Sequence, residues 1–344
     1  MAEAGPDGAQ GVLAAPQQLA VGCDRTLRIA QARDEGLVVG PDEAKHDASL
    51  EPRGAWRQRD FHPDRPARSH GSAGAETSGA YRGPMTAEPA MTSFAGLHHR
   101  PGEPLLLPNA WDHASAAALA ARGFPAIGTT SLAVAAAVGL PDGHAATREH
   151  TLCLARTLGS EPYLLSVDAE DGFGDDPDEV AELASRLWAV GVVGINLEDG
   201  LGPAARHAAK IAAVKAAVPG LFVNARTDTY WLGDGDETDT LRRLDAYRQA
   251  GADGVFVPGL TDPDRIGALL RRVDAPLNVL YAPTGPTVPH LADLGVGRIS
   301  LGSLLYRRAL GAALDAVADI AAGRVPGGTT PSYAEVCALG RGTA

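Results

Sequence analysis

From Leu105 onward, short apolar runs alternate with longer stretches in which apolar residues recur every three to four positions. The runs occupy 105–107, 126–129, 163–167, 193–197, 221–225, 254–257, 277–280 and 298–301. Their length and the turn residues that bound them predict strands. The longer stretches, 114–122, 147–158, 178–190, 204–217, 238–250, 264–272, 288–294 and 304–322, predict helices. Glycine stands just past three of these helices, in Arg122-Gly123-Phe124-Pro125, Ala250-Gly251-Ala252-Asp253 and Leu294-Gly295-Val296-Gly297. That is where a left-handed residue without a Cβ closes a helix.

Eight strand–helix units in roughly 220 residues predict an α/β fold of the (β/α)8 TIM-barrel type, which closes in as few as about 200 residues. A doubly wound sheet is the alternative. It uses fewer strands and opens on a glycine-rich phosphate turn, which the first unit lacks. Residues 1–90 show no sustained apolar period and are rich in Gly, Ala, Pro, Arg and Asp. Such a segment buries too little surface to offset its ordering entropy, so a disordered N-terminal extension is expected. Within it, 12–29 could form a short helix, and Met85 and Met91 are alternative starts of translation. The barrel domain is expected at 91–322 and a C-terminal tail at 323–344, with a short helix near 333–339.

Composition narrows the partners. The formal net charge is −12, which argues against nucleic acid as a partner, since phosphate binding needs a basic stripe. Apolar residues make up 45% of the chain but aromatics only 5%, so small aliphatic side chains build the helix-on-strand core. Cys23, Cys153 and Cys337 are far apart and in no metal-ligand spacing. A cytoplasmic protein is expected, with no membrane span and no signal peptide.

Polar residues cluster where the predicted strands end, the face on which such barrels carry their chemistry. Thr130 and Ser131 follow the second strand, with Asp142 later in the same loop. Asp168, Glu170 and Asp171 follow the third, Glu198 and Asp199 the fourth, Arg226 and Asp228 the fifth. Asp142, Asp168, Glu198 and Arg226 are spaced by 26, 30 and 28 residues. A barrel unit averages about 30 residues, so the four should converge on one mouth. Several carboxylates resist sharing a small site uncompensated. A hard divalent cation, Mg²⁺ or alternatively Mn²⁺, resolves the conflict with oxygen ligands and retained waters. Asp168 and Glu170 occupy alternate positions and could point the same way, with Glu198 reaching in from the next strand. Helix caps and surface salt bridges are the competing use of these acids. Arg226 suits bidentate capture of a substrate carboxylate, or a pairing with one of the acids.

The stretches LPNAWDHASA (107–116), GFPAIGTTSLAVAAAVGLPDG (123–143), SVDAEDGFG (166–174), GINLEDG (194–200), NARTD (224–228), AGADGVFVPG (250–259) and PLNVLY (276–281) resemble the isocitrate lyase/phosphoenolpyruvate mutase superfamily in order and spacing. The resemblance implies a direct Mg²⁺ ligand at Asp168, and carboxylates holding metal-bound waters at Asp142, Glu170 and Glu198. It implies a loop gripping the substrate carboxylate by backbone N–H groups at Thr130-Ser131-Leu132, and a carboxylate-binding Arg226. It also implies a homo-oligomer, a tetramer exchanging a C-terminal helix. Two departures stand out. The family usually has Asp where this chain has Glu170. Lyases of the family carry Lys-Lys-Cys-Gly-His after the fourth strand, with the Cys as acid/base, whereas this chain reads LGPAARHAAK (201–210).

These readings predict a Mg²⁺-dependent enzyme acting on a small 2-oxo or 2-hydroxy carboxylate, cleaving a C–C or P–C bond to leave an enolate. The missing Cys favours decarboxylation or hydrolysis. The alternatives are a C–C lyase of the methylisocitrate type with another acid (a tyrosine, a water or His207, the last expected at the surface) and a barrel that binds metal and carboxylate without turnover. Trp111, Tyr230, Trp231 and Tyr281 follow strands and could wall the pocket. The APTGPT segment (282–287) is either a turn or a phosphate site.

Overall fold

The computed structural model describes residues 93–340. The N-terminal extension at 1–90, its short helix and Met85 and Met91 lie outside the described residues. Within them, nine parallel strands form one sheet ordered β1-β9-β8-β7-β6-β5-β4-β3-β2. They are β1 (Leu105–Leu107), β2 (Asn109–Ala110), β3 (Ala126–Thr129), β4 (Leu164–Asp168), β5 (Val192–Glu198), β6 (Phe222–Arg226), β7 (Gly254–Val257), β8 (Leu277–Leu280) and β9 (Arg298–Ser300). The expected (β/α)8 barrel is observed. β1 and β2 are one barrel strand interrupted at Pro108, which has no N–H for a ladder. β1 pairs with β9 and β2 with β3, so the two halves close the sheet.

The helices are α1 (His113–Ala121), α2 (Ser131–Ala137), α3 (Arg148–Leu158), α4 (Pro177–Ala189), α5 (Ala204–Ala217), α6 (Glu237–Gln249), α7 (Pro263–Leu270), α8 (Val288–Leu294), α9 (Leu304–Ala321) and α10 (Tyr333–Cys337). Several begin one residue before the apolar period does. Asp112, Asp176, Asp236 and Asp262 cap them by accepting backbone N–H bonds, and Pro177 and Pro263 follow as the first helical residue. α2 is new relative to the sequence pattern: the Ser-Leu-Ala-Val-Ala-Ala-Ala run coils instead of forming an open loop. Among the described residues no helix is long and apolar enough to cross a membrane.

The strands from β4 to β9 alternate, apart from one register shift between β4 and β5 at Leu165/Ser166. Leu165, Val167, Ile195, Leu197, Val223, Ala225, Val255, Val257, Leu277, Val279 and Ile299 join the cores formed with the helices. The intervening positions carry the buried polar residues Ser166, Asn196, Asn224, Asn278, Arg298 and Ser300. Arg298 Nη2 donates to Asn196 Oδ1 at 3.2 Å, although β9 and β5 are separated by three strands in the sheet. That bond crosses the barrel, so these positions face inward. The opposite end is closed by apolar groups. Phe94 and Leu97, on a short 3-10 helix (Ala95–His98) and the residue before it, cluster with Leu105, Leu107, Ala126 and Phe222. Phe94 meets Phe222 edge-on at 5.4 Å. Gly194 permits this approach, since a Cβ there would stand 2.5 Å from Phe94 Cε1.

Removing this plug opens a cavity that the surrounding strands cannot collapse into. Phe94→Ala should cost about 3–5 kcal/mol of stability, measured by chemical denaturation of otherwise identical proteins. A loss below about 1 kcal/mol would mean that the barrel does not depend on Phe94.

Candidate active site

The ends of β2 to β6 and of β9 bring polar side chains to the same mouth, whereas β7 and β8 bring Phe256 and Leu280. A cleft of about 110 Å³ is lined by Thr130, Ser131, Asp142, Asp168, Asn196 and Arg226, with Trp231, Phe256 and Ser300 beside them. Asp168 is the last residue of β4. Its backbone N–H donates to Thr129 Oγ1 at 2.9 Å, and its Oδ2 accepts the Ser131 N–H at 3.1 Å. Asp142 is an exposed rim residue whose carboxyl is nonetheless raised by its surroundings. Partial burial pushes it up, the Ser131 side chain pulls it down, and Asp168 pushes it up again.

Glu170 reaches the site by a different route from strand alternation. The strand stops at Asp168, and Glu170 adopts φ +48°, an uncommon conformation for a residue with a Cβ. Its carboxylate is then fixed from the α2–α3 loop, by the Ala145 N–H at 3.1 Å and the Thr147 hydroxyl at 2.6 Å. Burial pushes its pKa up, those two bonds oppose the shift, and Asp168 and Asp142 add to it.

Glu198 ends β5 and faces Arg226 at the end of β6 in register. Arg226 Nη1 lies 2.5 Å from Glu198 Oε2, and its Nε donates to Asp228 Oδ1 at 2.7 Å. Those contacts occupy Nη1 and Nε, and the guanidinium carbon sits 5.8 Å from the Phe256 ring centre. Burial drives Glu198 up to about 8; Arg226 opposes this, and Asp168, Asp228 and Glu170 reinforce it. Glu198, Glu170 and Asp142 all feel the charge of Asp168, which makes Asp168 the electrostatic centre of the ring.

Among the described residues no three His, Cys, Asp or Glu side chains converge closely enough to cage a metal directly. The donor set fits a hard cation held differently, by one direct carboxylate with the others reaching it through water. Mg²⁺ favours that arrangement. All four acids are oxygen donors, and burial raises three of them, Asp142, Glu170 and Glu198.

The neighbouring acid Asp199 does another job. It accepts from Thr227 Oγ1 at 2.8 Å, Tyr247 OH at 2.7 Å, Arg243 Nη1 at 3.0 Å and the Leu201 N–H at 3.0 Å. Burial pushes its carboxyl up, but these bonds outweigh it and hold it below the ordinary range. His207, expected at the surface, is buried on α5. It lies edge-on to Tyr247 at 4.5 Å, its Nε2 has no partner, and burial lowers its pKa to about 4. With Lys210, Glu170 and Glu198 it lines a second cavity of about 250 Å³.

Of the aromatic candidates, Trp231 lines the cleft, whereas Trp111 packs against Tyr306 at 5.5 Å and Tyr230 and Tyr281 pack on the core of β7 and β8. Asn109, Asn196 and Ser300 line the cleft without being sequence candidates for it, and Asp228, named beside Arg226 from the sequence, pairs with that residue. Asn109 bridges the Thr129 carbonyl at 2.6 Å and the Leu301 N–H at 3.1 Å. Asn196 and Asp228 lie two positions from Glu198 and Arg226, and that period was the available signal.

The family profile of phosphoenolpyruvate phosphomutase matches residues 94–321. The chain belongs to this family. Its relatives in the isocitrate lyase/phosphoenolpyruvate mutase superfamily are lyases, mutases and hydrolases acting on small carboxylates, and this chain is an enzyme of that group. An uncharacterized protein of Mycobacterium tuberculosis is 46% identical over 249 residues, covering 71% of this chain and 94% of its own length. The 2-methylisocitrate lyase of Bacillus subtilis is 30% identical over 203 residues, covering 55% of this chain and 66% of that protein. A phosphonopyruvate hydrolase crystallised with oxalate and Mg²⁺ superimposes with a TM-score of 0.61 at 25% identity, covering 69% of this chain and 90% of that one. The β5–α5 connection runs only from Asp199 to Pro203 and holds no cysteine. Cys153 lies on α3 and Cys337 on α10, so neither replaces a thiol in that connection.

The raised acids make a pH-dependent prediction. A carboxyl raised on folding holds an extra proton in the fold, so stability falls as pH climbs from its unfolded value to its folded one. For Glu198 that window runs from 4.5 to about 8. His98 and His207, lowered from 6.5 to about 3 and about 4, act in the opposite sense below pH 6.5. The protein without metal should therefore lose thermal stability most clearly between about pH 6.5 and 8. Saturating Mg²⁺ should raise the melting temperature more at pH 8 than at pH 6.5, and Glu198→Gln should shrink that difference. A Mg²⁺ shift of equal size at both pH values would contradict the role given to Glu198.

Proposed function

We propose that this enzyme is a Mg²⁺-dependent decarboxylase or hydrolase of a small 2-oxo carboxylate. The observation that carries this reading is a carboxylate ring centred on Asp168, with Arg226 across a cleft of about 110 Å³ and no thiol in the β5–α5 connection. Asp168 would hold the metal directly, and Asp142, Glu170 and Glu198 would hold its waters, with Mn²⁺ a substitute. The metal, when bound, withdraws charge from the substrate's α-oxygen and carboxylate. Arg226 faces the anionic end of the substrate, and Thr130 and Ser131 flank that end, the Ser131 N–H being the donor that also holds Asp168 Oδ2. Trp231 and Phe256 form the apolar wall against which the rest of the substrate is oriented.

Cleavage at the carbon next to the 2-oxo group leaves an enolate that must be protonated. In a retro-Claisen lyase a positioned acid supplies that proton, a contribution of roughly 10²–10⁴-fold. His207 is a poor substitute, because its lowered pKa leaves it neutral at pH 7. A decarboxylase or hydrolase tolerates protonation by water. The test is kcat/KM for oxaloacetate, phosphonopyruvate and methylisocitrate, with and without Mg²⁺. One of the first two should turn over only with the metal, and Asp168→Ala should abolish both turnover and Mg²⁺ binding. Glu170→Gln should cost about 10–100-fold. Methylisocitrate cleavage above roughly 10⁴ M⁻¹s⁻¹, the ordinary lower bound for enzymes, would overturn the reading in favour of a lyase.

The same reading includes a homo-oligomer, a tetramer by resemblance. Support comes from α9, which has no buried residue and presents Leu310, Leu314, Val317 and Ile320 to solvent along one face. Sedimentation should give an assembly larger than one chain, and Leu314→Glu together with Val317→Glu should dissociate it. A monomer at micromolar concentration would remove this part of the proposal.

A further inference from the structure

Arg298 has no exposed surface, yet the cleft and its chemistry do not use it directly. It sits on β9 in register with Asn278 on β8, two residues before Ser300, which lines the cleft. Its Nη2 donates to Asn196 Oδ1 at 3.2 Å, and Asn196 also accepts from Asn224 Nδ2 at 2.8 Å. Asn196 forms part of the cleft itself. Arg298 Nε and Nη1 have no hydrogen-bond partner, nor do both amide atoms of Asn278 and the hydroxyls of Ser166 and Ser300. Among the described residues no carboxylate forms a salt bridge with Arg298, and the one acid whose charge it feels is Asp168. Burial pulls its pKa to about 9, so it remains a cation at neutral pH.

A buried charge without a paired counter-ion is among the costliest features of a folded protein. It is tolerable where a strong field of the opposite sign offsets it. The mouth above provides one: Asp142, Asp168, Glu170, Glu198 and Asp228 stand against Arg226. We infer that Arg298 is a positioning residue that acts on the carboxylate ring from inside the barrel, lowering its negative potential for an incoming anionic substrate and fixing Asn196 in the cleft. This inference rests on the metal-and-carboxylate reading above. It assigns Arg298 no contact with the substrate.

The charge role has a signature that a packing role lacks. Removing the cation leaves the ring more negative, so a divalent cation should bind more tightly and an anion less tightly. Loss of packing alone would weaken both. A unit charge within about 10 Å, at an effective dielectric constant near 20, changes affinity by roughly tenfold.

The experiment is calorimetric titration of the full chain with Mg²⁺ alone, and then with oxalate at saturating Mg²⁺. Arg298→Met should bind Mg²⁺ at least about tenfold more tightly and oxalate at least about tenfold more weakly than the unmodified protein. Arg298→Lys, which keeps the charge, should stay within about threefold for both. Should Arg298→Met fail to fold, Arg298→Gln carries the same test, since it keeps a donor for Asn196 without the charge. Weakening of both ligands together, or no change in either, would overturn the inference while leaving the metal reading intact. An unmodified protein that bound neither Mg²⁺ nor oxalate would overturn the metal reading and the inference with it.

Discussion

A parallel barrel gives each strand two faces, and the physics of this chain follows from keeping them chemically opposite. One face meets the helices and is aliphatic without exception from Leu165 to Ile299. The other faces the barrel axis and is mostly polar along its length, from Ser166 and Asn196 to Arg298. Asp168, Glu198 and Arg226 lie on that second face, as the last residues of their strands. The same two-residue period that builds the hydrophobic coat therefore brings the acids to one mouth. A one-residue slip in β5 would bury Glu198 against α4 and α5 and place Leu197 in the cleft, so register and site are specified together.

Apolar period and turn chemistry made the eight units legible because both are local signals. What stayed hidden was either too short to have a period or depended on another part of the chain. The break at Pro108 looks like one strand in sequence, and only its two different partners separate β1 from β2. Glu170 is acidic in sequence, but its place in the ring comes from a left-handed turn and two donors on the α2–α3 loop. His207 was readable in hindsight. It lies in the buried series Ala204, His207, Ile211 and Val214 of α5, where the spacing outweighs its polarity. Arg298 was the least legible, since a charged residue opening a short strand ordinarily marks an exposed edge. Its burial follows from closure of the barrel, which no local pattern encodes.

The electrostatics of the mouth explain why polar interior and acid ring occur together. Burial, with the charge of Asp168 beside it, pushes Asp142, Glu170 and Glu198 toward the protonated form, Glu198 to about 8. Arg226 offsets part of this directly through its contacts with Glu198 and Asp228. A wholly aliphatic barrel interior would lower the local dielectric beneath Asp168 and raise the cost further. Amides and hydroxyls at Asn196, Asn224, Asn278 and Ser166 instead provide orientable dipoles. The fold thus gives up some hydrophobic burial inside the barrel and recovers a site that keeps its acids available to a cation.

The β5–α5 connection bears on which reaction such a site suits. It leaves β5 at Asp199 and enters α5 at Ala204, a span too brief to cover the mouth. It is also tied down. Asp199 is bonded to Thr227 after β6 and to Arg243 and Tyr247 on α6, while Arg243 reaches back to the Gly202 carbonyl at 2.8 Å. Opening or closing this segment would break several buried, charge-assisted bonds at once. Bonds of this kind oppose movement of the connection as a lid over the cleft. Chemistry that must keep a reactive fragment dry gains nothing from that arrangement. Chemistry that consumes water, or ends with protonation by it, loses nothing. The rigidity of Asp199 and the missing thiol are independent features of the same segment, and both favour the simpler outcomes of enolate formation.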